Sequence, residues 1–180
     1  MASLVYVDNS NVWIEGMHVS AVINGHALDV YDAASNKICD YNWKFDFGKL
    51  LHFAGGEGHQ VKRAILFGSR PPKNDSLWVA AKRNGFEVKT YDRNASNREK
   101  KIDTDIVATM MEDSYELVDK ERDEMVLVAG DKDYVPMVEK LRRRGIRVIL
   151  CFWAHAAQEL VAACDAFYNL DTYLDHLRRD

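Results

Sequence analysis

The chain contains no run of about 18 consecutive apolar residues, so a membrane-spanning helix is not expected. Its first residues show no basic stretch followed by an apolar one, so no secretion signal is expected either. Cysteine is scarce. Cys39, Cys151 and Cys164 are an odd number without the paired spacing of a metal knuckle. Cys151 and Cys164 sit in apolar surroundings and read as buried thiols of a reduced, cytoplasmic protein. A P-loop is missing, and no serine stands in a strand-to-helix nucleophile elbow. Gly55-Gly56-Glu57-Gly58 reads as a turn, not a phosphate cradle. Internal repeats and low-complexity linkers are also missing, which excludes a solenoid or a tethered array.

An excess of positive charge is lacking too. The net charge is −4, which taken alone argues against a nucleic-acid partner. The distribution is less uniform. Between Lys62 and Lys101 there are eleven Lys or Arg against four acids, a local +7 that leaves −11 for the remainder. A basic face on an acidic protein suits a phosphate backbone, although solvated helix and loop surface gives the same count.

With 180 residues and 47% hydrophobic content, one domain spanning residues 1–180 with a full core is expected. Its organising stretch is Ser3 to Trp13. Leu4-Val5-Tyr6-Val7 is an unbroken apolar run, suited to a parallel strand buried on both faces. It stops at Asp8-Asn9-Ser10-Asn11, short polar residues that favour a turn and a helix N-cap. Further strands are expected at Val61–Phe67, Phe86–Tyr91, Met125–Ala129, Ile146–Trp153 and Ala166–Leu170. Helices are expected from Asn11 to about Val22, Asp46–Phe53, Asn74 or Asp75 to Asn84, Ile102–Val118, Tyr134–Arg144, Ala156–Cys164 and from Asp171 onward. Gly68-Ser69-Arg70-Pro71-Pro72 and the basic segment Asp92–Lys101 read as loops. Residues 23–45 follow no clear period and are expected to form an irregular insertion or a small hairpin. Its aromatics would pack on the domain or stack on bases. The alternation of strands and helices implies an α/β, three-layer sandwich with a central parallel sheet.

The chemistry lies in acids at strand ends, the edge where open parallel sheets bind ligands. Asp8 follows the first strand, Asp131 and Asp133 follow the fourth, and Asp103 and Asp105 open the long helix. Positions two apart on a helix diverge by about 200°. Asp103 shares its stripe with Val107 and Met110 and is expected to face inward; Asp105 shares its stripe with Thr109 and Glu112 and is expected to face solvent. Asp8, Asp103 and Asp131 could then converge on one cleft. Converging carboxylates repel unless a proton or cation compensates, and an all-oxygen set favours Mg²⁺ or Mn²⁺ over zinc. The bland alternatives are helix capping by Asp8 and stability alone. His155 also follows a strand near this edge, where a structural role is expected. Asp131-Lys132-Asp133 superficially suggests an aspartyl-phosphatase pair, but such enzymes would carry it after the first strand.

Four stretches together resemble the successive motifs of the NYN domain, a family of the PIN-like nuclease superfamily. They are Val7-Asp8-Asn9-Ser10-Asn11, Phe67-Gly68-Ser69-Arg70-Pro71-Pro72, Lys101-Ile102-Asp103-Thr104-Asp105 and Ala129-Gly130-Asp131-Lys132-Asp133-Tyr134. The chain is most similar to the bacterial LabA-like branch, over about Leu4 to Leu170. The resemblance implies a PIN-like, Rossmann-like fold and a ribonuclease dependent on Mg²⁺ or Mn²⁺. It implies Asp8, Asp103 and Asp131 as metal-site acids, Asn11 as the positioning residue, and Asp133 as the additional acid. RNA is then the expected partner, with Arg70, Lys100 and Lys101 as candidate backbone contacts. No membrane is involved, and a homodimer stays open. A non-catalytic RNA-binding or regulatory protein that keeps the fold is the alternative; a small-molecule phosphatase on the same metal site is a third.

Overall fold

The structure, a computed structural model, describes the backbone over residues 1–70, 76–92 and 98–180, and side chains over 1–69, 76–91 and 101–180. Strands β1 (Ala2–Asp8), β2 (Gln60–Arg70), β3 (Glu87–Asp92), β4 (Asp123–Val128), β5 (Arg147–Phe152) and β6 (Ala166–Asn169) form one sheet in the order β3-β2-β1-β4-β5-β6. Every pairing is parallel. Helices α1 (Asn9–Ile23), α2 (Val30–Asn36), α3 (Phe47–Gly55), α4 (Ser76–Arg83), α5 (Arg98–Glu116), α6 (Val135–Arg143) and α7 (Gln158–Ala163) connect the strands. The expected α/β three-layer architecture is the observed one.

Strand β1 is central, with β2 on one side and β4 on the other. All seven of its residues are buried. Successive side chains alternate between faces. Ser3 Oγ donates to the Gly55 carbonyl at the end of α3, 2.8 Å away, on one face. The Tyr6 hydroxyl donates to Asp113 of α5 on the other, at 2.6 Å. Arg63 pairs with the same Asp113, so this buried carboxylate serves two elements. Chain order reverses between β1 and β4, and the crevice at their carboxyl ends is where ligands bind in such sheets.

Residues 23–45 contain no hairpin. They hold the short helix α2, and its ends are specified locally. Asp29 accepts from the N–H groups of Tyr31 and Asp32, and Lys37 closes the helix in the left-handed region at φ 54°. Phe45 makes only an isolated bridge to Arg178. Of the insertion's aromatics, Tyr41 is exposed, whereas Trp43 and Phe45 pack into the core. Trp43 stacks edge-on against Trp153, centroids 5.6 Å apart, and donates from its indole N–H to the Leu174 carbonyl. Trp153 donates in turn to the Val12 carbonyl of α1, at 2.8 Å. Each buried aromatic of this kind contributes on the order of 2–3 kcal/mol.

Other expectations need correction. Gly68, Ser69 and Arg70 belong to β2 because they pair with Thr90, Tyr91 and Asp92 of β3, so no loop begins at Gly68. Helix α5 begins at Arg98 rather than Ile102, and residues 98–101 are helical. Asn74 and Asp75, expected caps of α4, lie outside the described residues, as does the middle of the expected 92–101 loop. Beyond Asp171 there is one 3-10 turn, Leu170–Tyr173, instead of a full helix.

Gly16 lets both tryptophans reach α1. A Cβ there would stand 2.5 Å from Trp43 and 2.6 Å from Trp153, closer than ring carbons tolerate. Alanine normally gains about 1 kcal/mol over glycine within a helix. Here overpacking, typically costing about 1–3 kcal/mol, outweighs that gain. Gly16→Ala should lower stability by about 1–2 kcal/mol and alter tryptophan emission. Urea unfolding followed by fluorescence checks this; a variant as stable as wild type contradicts the packing described.

Candidate active site

Asp8 ends β1 and simultaneously caps α1. Its Oδ1 accepts from the Asn11 N–H at 3.2 Å. Its Oδ2 accepts from the Tyr134 hydroxyl at 3.3 Å. The same hydroxyl donates to Oδ1 of Asp103 at 2.9 Å, so one phenol stands between two carboxylates that are far apart in the sequence. Asp131 follows β4 and caps the 3-10 turn Lys132–Tyr134, its Oδ1 accepting from the Asp133 N–H at 2.9 Å. The helix capping by Asp8 and its position at a site are therefore not alternatives, because its two oxygens are used separately.

Asp8, Asn11, Asp103 and Asp131 line one pocket of about 160 Å³, together with Ser10, Ile14, Glu15 and Ile102. Asp133 is exposed and does not line it; it contributes its backbone N–H to Asp131. Lys101 is exposed on α5 beside Ile102 and Asp103, while the side chains of Arg70 and Lys100 lie outside those described. The structure differs from expectation at Asp105. It faces β3 rather than open solvent: it accepts from the Tyr91 hydroxyl and pairs with Lys89 at 3.6 Å. The divergence of Asp103 and Asp105 stands, but both have protein partners.

Among the described residues, part of the local +7 is engaged internally. Lys62 pairs with Asp123 at the amino end of the sheet, and Arg63 with Glu87 and Asp113. Lys89 bonds Thr109 and lies over the Phe67 ring, 5.5 Å from its centroid. A count along the sequence could not separate cations spent on internal pairing from free ones.

Burial pushes the Asp8 carboxyl from 3.8 up to about 7. The backbone bond from Asn11 and the Tyr134 hydroxyl oppose this, while the charges of Asp103 and Asp131 add to it. The Tyr134 phenol is itself raised, first by burial and then by the two carboxylates it touches, so it stays a donor. Glu15 behaves oppositely. Burial raises it, but His155 at 2.7 Å and His18 at 3.4 Å outweigh burial and hold it lowered and charged.

Among the described residues, no three His, Cys, Asp or Glu side chains stand close enough to hold one ion. The donor chemistry nevertheless fits a hard cation: three carboxylates and the Asn11 amide share one pocket. Asn11 Oδ1 is buried with no hydrogen-bond partner, an acceptor left over at this site.

Tyr134 and Glu15 escaped sequence reasoning. An aromatic after an acid reads as core, and its hydroxyl's partners are set by tertiary structure alone. Glu15 was detectable, since it lies one turn after Asn11 on the same face of α1. His155 is the hydrogen-bond partner of Glu15, which lines the pocket.

The NYN domain family model matches residues 5–171. No curated protein is significantly similar to the chain. Among solved structures, a protein of unknown function from Vibrio parahaemolyticus is similar, with TM-score 0.68 and 21% identity. The alignment covers 98% of this chain and 95% of that one, and it supports the fold alone.

A carboxyl that holds its proton more tightly in the folded chain favours folding at low pH, and that advantage is lost as pH rises. For Asp8 the loss spans about pH 4 to 7. Asparagine keeps the cap and removes the charge. In EDTA, Asp8→Asn should therefore match wild type near pH 4 and exceed it by on the order of 2–4 kcal/mol at pH 8. Urea melts across this range measure the difference; parallel stability curves would count against a buried, strained carboxylate.

Proposed function

The chain belongs to the NYN domain family, and from that premise we propose that it is a metal-dependent ribonuclease hydrolysing RNA phosphodiesters. Nuclease activity is general to such domains; the metal, the substrate and the roles below are this proposal's own. The observation that carries it is the pocket where Asp8, Asn11, Asp103 and Asp131 meet at the reversal of strand order. A purely structural role does not require a buried carboxylate, repelled by two others, at the ligand-binding edge of the sheet. We assign residues 1–180 to one catalytic unit of LabA-like type, acting on RNA in a reducing cytoplasm, which suits three free cysteines. No helix among the described residues is long and apolar enough to cross a membrane.

Asp8, Asp103 and Asp131 would hold Mg²⁺ or Mn²⁺, which would supply charge neutralisation at the phosphate and a more acidic water. The protein's own groups have definable tasks. Tyr134 fixes the separation of Asp8 and Asp103. Asn11 offers its unpartnered oxygen to a ligand or water and orients Asp8 through its N–H. Asp133 holds Asp131 through the backbone and is near enough in the chain to position water. Lys101, with Arg70 and Lys100, is assigned to phosphate contacts beside the pocket.

A non-catalytic RNA-binding protein is the second reading, since the Tyr134 hydroxyl already bridges two of the carboxylates without a metal. The experiments separate the two. Millimolar Mn²⁺ or Mg²⁺ should raise the melting temperature of wild type, because a ligand of the folded state stabilises it by mass action. Asp8→Asn should blunt the rise; an unchanged wild-type curve removes the metal site.

Asp103→Asn should abolish Mn²⁺-dependent cleavage of RNA with the fold intact by circular dichroism. Asp105→Asn should keep most activity and lose about 1–2 kcal/mol of stability, because it weakens the bonds to Tyr91 and Lys89. Active Asp103→Asn with inactive Asp105→Asn reverses the assignment. Wild type that binds RNA yet never cleaves it with Mn²⁺ supports the binding protein instead.

A further inference from the structure

We propose that a cleft beside the carboxylate pocket is a binding track for single-stranded RNA. The inference rests on the ribonuclease reading and adds the strandedness of the substrate and the place of its flanking nucleotides. The cleft is about 550 Å³ and lies between the first turn of α1, the start of α3 and helix α4. Trp13 and Leu77 supply apolar wall, and Lys44, Arg83 and Arg179 supply positive charge.

The charge is unspent. Lys44, Arg83 and Arg179 are exposed, and their side chains make no ion pair or hydrogen bond with another described residue. Elsewhere Lys62, Arg63, Lys89, Arg142 and Arg147 each have a carboxylate partner. The acid lining the cleft, Asp46, caps α3 by accepting from the Lys49 N–H, and with it the lining keeps a net charge of +2. Three free cations around one cleft are an electrostatic preference for a polyanion, in a chain whose net charge is −4.

The apolar wall selects among polyanions. Trp13 is half-buried and held by an edge contact to Phe45 and a tilted contact to Phe47, with centroids 6.2 and 6.0 Å away. A ring fixed in this way offers a stacking surface without a further loss of side-chain freedom. Unpaired bases can turn into a recess between helices; bases stacked inside a duplex cannot. The cleft is also close to the candidate chemistry. Ser10, Asn11 and Ile14 of α1 line the carboxylate pocket, while Trp13 of the same turn lines the cleft. Trp13 and Ile14 are adjacent in α1, so the two recesses flank the same stretch of helix. A strand with its scissile phosphate at Asp8 and Asp103 reaches the cleft by crossing the start of α1.

The test uses a fluorescent 12-nucleotide oligouridylate in EDTA, which suppresses cleavage, with wild type and the variant Lys44→Gln/Arg83→Gln/Arg179→Gln. The variant should bind at least tenfold more weakly at 100 mM salt. Each phosphate contact adds about 0.7 to the salt slope for single strands, so the slope should fall by about 2. An RNA duplex of equal length should bind wild type at least tenfold more weakly than the single strand. A second measurement does not depend on the variant folding: oligouridylate carrying 4-thiouridine should crosslink in wild type to peptides containing Trp13 or Leu77. Equal binding by the variant, equal binding of duplex, crosslinks only elsewhere, or no single-strand binding by wild type each overturn the track. If the variant binds like wild type while wild type cleaves RNA, the track fails and the ribonuclease stands. Cleft-dependent binding without Mn²⁺-dependent cleavage has the reverse meaning.

Discussion

Strand β1 is enclosed by a strand on each side and helices on both faces, and the remaining geometry depends on that enclosure. A segment with all of its residues buried can carry polar groups only where partners are built for them. Ser3 and Tyr6 have such partners in Gly55, Glu124 and Asp113. Asp8, 6% exposed at the end of the strand, has the Asn11 N–H and the Tyr134 hydroxyl but no cation among the described residues. The same burial that stabilises the sheet therefore leaves its terminal carboxyl reluctant to ionise.

The two ends of the sheet treat their acids differently. At the amino end, Asp123 pairs with Lys62, and Glu124 pairs with Arg147 and approaches His59. These acids are neutralised and act as struts between strands. At the carboxyl end, Asp8, Asp103 and Asp131 gather around one pocket, with a neutral phenol between the first two. Glu15 on the same pocket has hydrogen-bond partners in His155 and His18 instead. The chain thus concentrates unresolved negative charge at one edge of its sheet.

Much of this was legible from residue order, for identifiable reasons. Parallel strands buried on both faces appear as short apolar runs, and Leu4–Val7, Ala64–Phe67 and Met125–Ala129 are all buried. Asp8 and Asp131 were visible because each directly follows such a run. Helix α2 was not, because it has seven residues, no apolar period, and stability drawn from its Asp29 cap. Asp105 was misjudged because a helical stripe shows which residues share a side, not which strand that side faces. Tyr91 and Lys89 come from β3, and no local pattern links them to α5. Of the three free cations at the cleft, only Arg83 falls in the most basic segment, several of whose other charges are paired internally, and Lys44 and Arg179 lie outside it.

The strand order has a consequence for biosynthesis. β1 precedes both of its neighbours in the chain: β2, beginning at Gln60, and β4, ending at Val128. At about 5–20 residues per second, the ribosome takes on the order of ten seconds to deliver β4 after β1. During that interval Leu4-Val5-Tyr6-Val7 has an unpaired edge and no cover on at least one side. Such β-prone, uncharged segments are where nascent chains associate with one another. The central strand, buried along its whole length in the finished protein, is thus the one that waits longest for its second neighbour during synthesis.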